Sequence, residues 1–469
     1  MLRFRFCIAQ YSVAMRERLH FIGIGGSGMS GIAELALRRG CRVSGSDLAA
    51  SAATARLQAL GAQVFIGHDP AQVAGAQRVV VSTAVKPDNP ERLAAQGQGI
   101  PILHRAEMLA ELMRGKTAIA VAGAHGKTTT SAMIATVLRA AGRDPTAVVG
   151  GTLDGVGSGA VAGAGPHFVA EADESDGSFL ALPRDIAVIT NIDRDHLDFY
   201  RDLDDITEHF ARFAEGVSEG GAVVICADDP GARALLPRLT GRRATYGLEA
   251  SDASVQATEL IPRKPFGWTF NVWRDGRWLG AAQLQAPGRH AVYNALAAVA
   301  TGLELGLDFK DIQVGLEMFK NVSRRFQIRG ERANVLVVDD YGHHPAEIAA
   351  ALDAARSAER RIVLAFQPHR YSRTQRLFAD FVTALGKADV VCILEVYAAG
   401  EAPITGVTSE TLVAALQAAG HGATHYAGGL EEALPRLLPL VRPGDLLLTV
   451  GAGNVWRLGE RFLEHVEVN

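Results

Sequence analysis

The sequence predicts an α/β protein of three consecutive domains with mostly parallel sheets. Short apolar segments such as TAIAVAG and RIVLAFQP alternate with segments of helical periodicity along the whole chain. Apolar strands with polar or glycine-rich ends, separated by helices, are typical of parallel sheets covered on both faces. The 469 residues suffice for two to four domains at roughly 100–200 residues each. We expect a Rossmann-like N-terminal domain, a P-loop central domain and a Rossmann-like C-terminal domain.

Strand patterns also place the domain boundaries. Residues 15–112 form the first predicted domain, residues 113–322 the second and residues 323–469 the third, which begins close to RRFQIRGE. Residues 251–285 break the alternation, because they contain WTFNVWRDGRWLG with Asp275-Gly276 as a hairpin signal. We expect an antiparallel excursion there.

Composition limits the classes of function. Hydrophobic residues make up 48% of the chain and charged residues 21%, as in ordinary globular proteins. The net charge of −4 offers no basic field for nucleic acid. Scattered cysteines indicate a reducing cytoplasm, and no apolar run reaches the roughly 18–20 residues that membrane insertion needs. The four cysteines are Cys7, Cys41, Cys226 and Cys392.

Two further expectations concern the ends and the assembly of the chain. Residues 1–14 carry Arg3 and Arg5 and no acid, and they show no clear signal-peptide pattern. We expect either an extension with little structure or a true start at Met15. The sequence does not fix the oligomeric state, and a monomer or a weak homodimer is expected.

The first glycine loop is Gly23-x-Gly25-x-x-Gly28, which follows a strand and opens a helix. Asp47 lies about 20 residues further on, as the dinucleotide-binding fingerprint requires. Small residues let backbone N–H groups approach a diphosphate at the positive end of a helix. The pattern predicts a bound nucleotide diphosphate, and it does not separate NAD from a UDP-sugar. The alternative is a purely structural tight turn.

A second glycine loop runs from Gly123 to Thr130 as GAHGKTTT, between the strand TAIAVA and a helix. In a P-loop, backbone N–H groups hold the ATP phosphates, the lysine neutralises the β and γ groups, and the hydroxyl binds Mg²⁺. Lys127 and Thr128 have these places here. The strict motif has glycine where this chain has Val121, and a turn that binds no nucleotide is the alternative.

Acidic residues follow the next two strands of the central domain. The segment from Glu171 to Asp176 (EADESD) ends the strand HFVA, and carboxylates beside a P-loop suit Mg²⁺. The alternative is a solvated acidic loop. His196 lies in NIDRDHLD at the following strand end. Neutral imidazole there could bind a second Mg²⁺, although it is an unusual ligand for a hard ion, and a structural histidine is the alternative.

These motifs together resemble the Mur ligase family over essentially the whole chain after Met15. In family order they are HFIGIGGSGMSGIAE, GAHGKTTT, EADESDGSF, NIDRDHLDFY, PGRH with YNALAA, RRFQ, DDYGHHPAE, FQPHRYSRT and VGAGNVW. The resemblance implies an ATP-dependent carbon–nitrogen ligase that works with Mg²⁺. Within the family, the SGMSGIAE opening favours the branch that joins L-alanine to the lactyl carboxylate of UDP-N-acetylmuramate through an acyl phosphate. That step belongs to peptidoglycan synthesis, and so to cell shape and division.

The resemblance also implies site residues. The UDP-sugar would be held by Gly25, Ser27, Gly28, Asp47, His68 and Ser82. ATP would be held by Gly123, Ala124, His125, Gly126, Lys127, Thr128, Thr129, His290, Asn294, Arg325 and Asp340. The amino acid would be held by Tyr341, His343, His369, Arg370 and Arg373. Thr128, Glu171 and His196 would bind the metal, and Lys127, Glu171, His196, Arg325 and Asp340 would be catalytic.

Within the third domain the residue chemistry adds detail. Arginine donates bidentately to carboxylates, so Arg370 or Arg373 is expected to hold the alanine carboxylate. A solvated basic loop is the alternative for HRYSR. His343 and His369 are expected to titrate near neutrality and could accept the amine proton. For Asp340 and its neighbour Asp339, the alternative is a helix N-cap.

The chain departs from the family pattern at three places. Ala124 replaces the usual threonine of the P-loop, and Ala291 replaces the asparagine that follows His290. No lysine occurs between His196 and Lys264, so that segment cannot supply the carbamylated lysine of other Mur ligases. This last feature is shared with the alanine-adding branch.

Other functions stay open at this stage. The nearest is the related ligase that recycles a tripeptide onto UDP-N-acetylmuramate. A folylpolyglutamate-type ligase would not need the first glycine loop. An NAD-dependent oxidoreductase would not need GKTTT, and a regulatory P-loop switch would not need HRYSR or DDYGHH.

Overall fold

The computed structural model describes residues 17–152, 157–197 and 199–465. The proposed start at Met15 and the motif residue Asp198 lie outside these ranges. The described residues form three β-sheets with helices between their strands, which agrees with the α/β fold predicted from the sequence. No described helix combines the length and apolar character needed to cross a bilayer.

The N-terminal sheet has five parallel strands in the order β3-β2-β1-β4-β5. Its strands are β1 Arg18–Ile22, β2 Arg42–Asp47, β3 Gln63–Ile66, β4 Arg78–Val81 and β5 Ile102–His104. Its helices are α1 Ser27–Arg38, α2 Ala52–Ala59, α3 Pro90–Gly97 and α4 Arg105–Met113, with a 3-10 turn at Pro70–Val73. Strand order reverses between β1 and β4, and ligands of such sheets bind at this switch point. The first glycine loop follows β1 and therefore lies there.

The central sheet has ten strands in the order β15-β14-β13-β12-β11-β10-β6-β9-β7-β8. They are β6 Thr117–Ala122, β7 Thr146–Val148, β8 Ala160–Val161, β9 His167–Glu171, β10 Ile186–Ile189, β11 Ala222–Cys226, β12 Arg242–Gly247, β13 Val255–Pro262, β14 Trp268–Arg274 and β15 Arg277–Leu284. The helices are α5 Lys127–Ala140, α6 Leu203–Glu215, α7 Pro230–Arg233, α8 Arg289–Glu304 and α9 Phe309–Met318, with 3-10 turns at Ser178–Ala181 and Leu236–Arg238. β6 lies between the parallel strands β9 and β10. The P-loop, the acidic segment and the His196 segment therefore meet at one sheet edge, as predicted.

The predicted hairpin joins β14 to β15. Its turn residues, Asp275 and Gly276, both have positive φ, 48° and 77°. Two consecutive positive φ angles are what a two-residue turn of this hand requires, and aspartate followed by glycine adopts them readily.

The C-terminal sheet has six strands in the order β16-β17-β21-β18-β19-β20, parallel except for the first. Its strands are β16 Gln327–Arg332, β17 Val335–Asp340, β18 Ile362–Phe366, β19 Val390–Leu394, β20 Thr424–Gly428 and β21 Leu446–Val450. Its helices are α10 Pro345–Arg356, α11 Tyr371–Arg376, α12 Phe378–Leu385, α13 Ser409–Ala418, α14 Leu430–Leu437 and α15 Trp456–His465, with a 3-10 turn at Leu438–Leu440.

The N-terminal and central sheets share one hydrophobic core. Helix α1 makes the junction, because its Gly31 has no side chain to hold it away from the central strands. A Cβ at Gly31 would lie 3.4 Å from Val148 Cγ1 and 3.6 Å from Ala160 Cβ. The C-terminal sheet has its own cores on its two faces. This close packing of the first two sheets fixes the first glycine loop relative to the central acidic segment.

Candidate active site

The first glycine loop is held by the strand beside it. Asp47, the last residue of β2, accepts a hydrogen bond of 2.8 Å from the Gly25 backbone N–H. A Cβ at Gly25 would lie 2.9 Å from that same carboxylate oxygen, so a larger residue would not fit. Helix α1 then begins after Gly26 without a side-chain cap, and its first N–H groups are oriented as in other anion sites. Gly25 and Asp47 are thus in contact, and Ser27 and Gly28 begin the helix that follows the loop.

A buried carboxylate anchors the predicted UDP-sugar residue His68. Glu91 Oε1 lies 2.6 Å from His68 Nδ1, and its other oxygen lies 2.5 Å from His20 Nε2. Ser46 Oγ also donates to Glu91, at 2.9 Å. Burial favours the neutral acid, but the hydrogen bonds from His20, Ser46 and His68 outweigh it and lower the pKa of Glu91. Glu91 could not be predicted from the sequence, because a lone glutamate on a helix carries no motif. Ser82 directly follows β4, the strand beside β1 on the side away from β2.

In the second glycine loop, Lys127 is surrounded by acceptors. Its Nζ donates to the carbonyls of Gly123 at 2.6 Å and Ala124 at 3.2 Å, and to Glu174 Oε1 at 2.8 Å. Gly123 has φ 140°, and a Cβ there would lie 1.9 Å from Thr190 Oγ1. The tight turn therefore requires glycine at this position, and it bends the chain so that Lys127 begins helix α5.

The charge of Lys127 is set by the neighbouring acids. Burial alone would lower the pKa of Lys127, but the carboxylates of Glu174, Asp173 and Glu171 outweigh it and raise that pKa. Burial also raises the pKa of Glu174, although the Lys127 cation opposes this. Lys127 therefore stays protonated at neutral pH, as a residue that neutralises phosphate must.

The oxygen atoms beside Lys127 fit a hard divalent cation. Thr128 Oγ1 donates to Glu171 Oε1 at 3.1 Å, and the Gly150 N–H holds the other Glu171 oxygen at 2.6 Å. Within the described part of the chain, the buried Glu174 Oε2 accepts no hydrogen bond, which leaves a carboxylate oxygen for a ligand. Mg²⁺ prefers such oxygens and keeps several waters. Glu174 belongs to the acidic segment predicted from the sequence, where no pattern distinguishes it from its neighbours.

His196 reaches the same acid from the next strand end. Its Nε2 lies 3.6 Å from Glu174 Oε1 and 3.7 Å from Asp195 Oδ2, and its backbone has a positive φ of 54°. A non-glycine residue with positive φ is strained unless its surroundings hold it. The predicted metal residues Thr128 and Glu171 are in contact, and His196 lies beside Glu174, the carboxylate that pairs with Lys127.

Side chains from neighbouring segments form hydrogen bonds with the remaining P-loop residues. Asn191 accepts from the His125 N–H at 2.8 Å and donates to the His125 carbonyl at 2.9 Å. His125 Nε2 lies 3.1 Å from Asp193 Oδ2. Asn294, on α8, accepts a 3.2 Å hydrogen bond from Thr130. Asn294 is thereby placed against the P-loop, as predicted. Thr129 is a half-buried residue in the first turn of α5.

The C-terminal sheet carries a second group of predicted residues. Asp340 ends β17 and accepts 2.7 Å hydrogen bonds from the backbone N–H groups of Phe326 and Gly342. Burial raises the pKa of Asp340 to about 6, against the lowering effect of Arg325. Arg325 also lies over the Tyr341 ring, 5.2 Å from its centroid. Asp340, Arg325 and Tyr341 therefore form one cluster.

The N-cap alternative for the two aspartates is wrong. Helix α10 is capped by His344, with Glu347 completing a capping box. Asp339 is buried and pairs instead with Arg324 at 3.1 Å and with Thr449 at 2.8 Å. His-Pro at the start of a helix was the sequence signal that could have shown this.

The predicted amino-acid residues also cluster, with one correction. The His343 and His369 rings lie 5.8 Å apart, and Arg373 Nη1 lies 3.4 Å from His369 Nδ1. Burial, helped by His343, Arg373 and Arg370, lowers the pKa of His369 to about 3. The expectation that His369 titrates near neutrality is therefore wrong, because a buried ring among cations resists protonation. It remains an acceptor of hydrogen bonds.

Arg370 has an unusual backbone and a buried donor. Its φ is 70°, and it precedes the short helix α11. Among the described residues, no partner accepts a hydrogen bond from its buried Nε. For the predicted ATP residue His290, burial, together with Arg325, lowers the pKa to about 4. His290 is therefore neutral at pH 7.

Three family models match the chain in succession. Residues 18–117 match the Mur ligase family catalytic domain, residues 121–302 the Mur ligase middle domain, and residues 324–453 the Mur ligase glutamate ligase domain. The chain belongs to the Mur ligase family. The family resemblance seen in the sequence is thereby confirmed.

Individual members of the Mur ligase family are similar to this chain over nearly its whole length. The chain is 50% identical over 450 residues to a UDP-N-acetylmuramate–L-alanine ligase from Syntrophobacter fumaroxidans, covering 95% of this chain and 96% of that one. The crystal structure of a UDP-N-acetylmuramate-alanine ligase from Thermotoga maritima is similar with a TM-score of 0.81 and 30% identity, over 95% of this chain and 98% of that one. A murein peptide ligase from Psychrobacter arcticus shares the fold, with a TM-score of 0.71 and 22% identity over 97% and 100% of the two chains.

Proposed function

We propose that the chain joins L-alanine to the lactyl carboxylate of UDP-N-acetylmuramate, with ATP and Mg²⁺, in peptidoglycan precursor synthesis. The observation that carries the proposal is the meeting of Lys127, Thr128, Glu171 and Glu174 at one sheet edge. A glycine loop suited to a nucleotide diphosphate lies in the sheet that shares a core with this edge. The 50% identity to an alanine ligase over nearly the whole chain supports alanine as the amino acid.

The chemistry starts from an unreactive acid, because hydroxide is too poor a leaving group for a carboxylate to acylate an amine. The lactyl carboxylate attacks the γ-phosphate of ATP in line and gives an acyl phosphate and ADP. Lys127 and the backbone N–H groups of its loop stabilise the charge on the transferred group. When bound, Mg²⁺ adds positive charge at the same phosphate oxygens. Thr128, Glu171 and His196 are the residues predicted to hold it, and Glu174 Oε2 offers a further carboxylate oxygen.

The amine of L-alanine then attacks the acyl carbon, and phosphate leaves from the tetrahedral species. We assign the alanine carboxylate to Arg370, because its buried Nε has no partner within the described residues and a guanidinium binds carboxylates bidentately. Arg373 is the second candidate. His369 accepts a hydrogen bond, and its low pKa argues against it as the base for the amine proton. That leaves His343 as the candidate base.

Because the substrates are water-soluble nucleotides and an amino acid, we also propose that the enzyme works in the cytoplasm. The domain boundaries after residues 112 and 322, and a monomeric or weakly dimeric state, remain predictions.

Phosphate release with purified protein, ATP, Mg²⁺ and UDP-N-acetylmuramate tests the proposed function. We expect release that depends on all four components together with L-alanine. Glycine, L-serine and the tripeptide L-alanyl-γ-D-glutamyl-meso-diaminopimelate form the comparison series. Faster release with the tripeptide than with alanine would establish the recycling ligase instead. No release with any acceptor would reject both ligase functions.

A further inference from the structure

A single arginine lies between the two nucleotide loops. Arg105 is the first residue of α4, and its side chain is only 16% exposed. Its Nη1 lies 3.3 Å from the position that a Cβ on Gly28 would take. One edge of the guanidinium therefore faces the glycine loop at the start of α1, where the diphosphate is proposed to bind.

The other edge of Arg105 contacts the acidic segment of the central domain. Nη2 donates to Asp173 Oδ2 at 2.6 Å and lies 3.9 Å from Asp176 Oδ2. Asp173 immediately precedes Glu174, which accepts from Lys127 at 2.8 Å. Arg105 thus lies beside the first glycine loop and is hydrogen-bonded to Asp173, the residue next to the carboxylate that holds the P-loop lysine.

Neighbouring side chains keep this junction in place. Asp176 lies 3.4 Å from His104 Nε2 and accepts a 3.2 Å hydrogen bond from Thr83. His104 caps α4, and Glu107 completes its capping box. The backbone that presents Arg105 is therefore fixed at a helix start, and its guanidinium faces the carboxylates of Asp173 and Asp176.

The geometry points to Arg105 as a positioning residue that couples the binding of the UDP-sugar to the binding of ATP. A planar guanidinium can donate to two anions from two edges at once. A diphosphate at the first loop would order Arg105, and Arg105 would then hold Asp173 and the segment that carries Glu174. The same contacts would order the acidic residues beside Lys127, so each ligand strengthens the binding of the other. This inference rests on the proposed function.

Reciprocity makes the coupling measurable without turnover. Two sites that share a coupling free energy change each other's affinity by the same factor, commonly about 5–150-fold. UDP is the probe for the first site, because it lacks the lactyl carboxylate and cannot touch the γ-phosphate. The magnesium complex of a non-hydrolysable ATP analogue is the probe for the second. Titration calorimetry then gives each affinity with and without the other ligand.

We expect UDP to tighten binding of the ATP analogue by at least about fivefold in the native protein. Asp173→Asn keeps the arginine for the diphosphate, so its affinity for UDP alone should stay within about twofold while the coupling factor falls to about one. Arg105→Met should weaken UDP binding and also remove the coupling. Arg105→Lys, which keeps the charge and loses the fork, should keep part of the UDP affinity and little coupling.

A matched control removes an arginine–carboxylate pair elsewhere on α1. Arg38 pairs with Glu34 at 3.0 Å, and Arg56 also holds that glutamate. Arg38→Met should leave both affinities and the coupling factor unchanged. A native coupling factor of one, or native coupling retained in Asp173→Asn, would overturn the inference. Native protein that binds the ATP analogue but neither UDP nor UDP-N-acetylmuramate would instead reject the proposed function.

Discussion

The two glycine loops of this chain share a backbone device and differ in the charges around it. Each follows a parallel strand inside its sheet, β1 or β6, and each opens a helix after a glycine without a side-chain cap, Gly26 or Gly126. Both therefore present backbone N–H groups at a positive helix end. On backbone geometry alone they would be equivalent anion sites.

The surrounding side chains separate them. In the first loop, Asp47 holds the loop's own backbone, and the described neighbours include the guanidinium of Arg105. In the second, Lys127 supplies a cation from within the motif, and Glu171 and Glu174 face it. A phosphate that is only held needs donors, whereas one that is transferred also needs a cation and metal-binding oxygens. The charges, and not the glycines, predict which loop does chemistry.

Removing the cation of the second loop should have the largest effect. Lys127→Met deletes the charge at the γ-phosphate, and we expect phosphoryl transfer to fall by about a thousandfold. In the absence of ATP, the affinity for UDP-N-acetylmuramate should not change, because the first loop has its own donors. Assays of phosphate release measure the rate of transfer, and titration calorimetry with UDP-N-acetylmuramate measures the affinity.

The control for this change is Lys310→Met, an exposed lysine on α9, which should behave as the native protein. Equal losses of transfer and of UDP-sugar affinity in Lys127→Met would contradict the separation of the two loops.

Removing a carboxylate proposed to bind the metal should have the second largest effect. Glu171→Gln removes the carboxylate that meets Thr128 at 3.1 Å, and we expect a loss of about a hundredfold in kcat that added Mg²⁺ partly restores. Chelation should stop transfer in the native protein and leave UDP binding intact. The exposed Glu219 provides the control variant Glu219→Gln. Loss of UDP binding on chelation would show that the metal serves the first glycine loop, which would contradict its placement at the second.

A smaller effect is expected at Glu91, the buried carboxylate that anchors His68 in the N-terminal domain. Glu91→Gln removes the anion that holds His68 at 2.6 Å, so the KM for UDP-N-acetylmuramate should rise about tenfold, or about 1.4 kcal/mol, with kcat unchanged. The control Ser44→Ala removes a partner of His20 at 2.9 Å and leaves the Glu91–His68 pair. An equal rise in both variants would mean that the network only stabilises the fold.

These differences were partly visible in the sequence. The second glycine loop, the strands β6 and β9 and the acidic segment all lie between Thr117 and Asp176, so patterns at the strand ends predicted Lys127, Thr128 and Glu171 in one place. Strands with strong apolar character, such as β6 and β18, were predicted as well. Short strands such as β7 and β8, with three and two residues, were not, because so few residues show no periodicity.

Contacts between distant segments could not be predicted from one sequence. Glu91 reaches His20 across 71 positions, and Arg105 reaches Asp173 across 68. Neither glutamate nor arginine stands in a motif at those places. The low pKa of His369 likewise depends on burial and on Arg370 and Arg373 beside it, and burial appears only once the chain is folded.

The smallest effect is expected from restoring the family's usual residue in the second loop. Ala124 contributes through its backbone, since its N–H donates to Asn191 at 3.2 Å and its carbonyl accepts from Lys127 at 3.2 Å. Its side chain is half-buried, so a threonine hydroxyl can still reach solvent. Ala124→Thr should therefore change the KM for ATP by less than about threefold, or about 0.6 kcal/mol. A tenfold fall in that KM would show that the second loop binds phosphate through a side-chain hydroxyl as well as its backbone, and the two loops would then differ in their donors as well as in their charges.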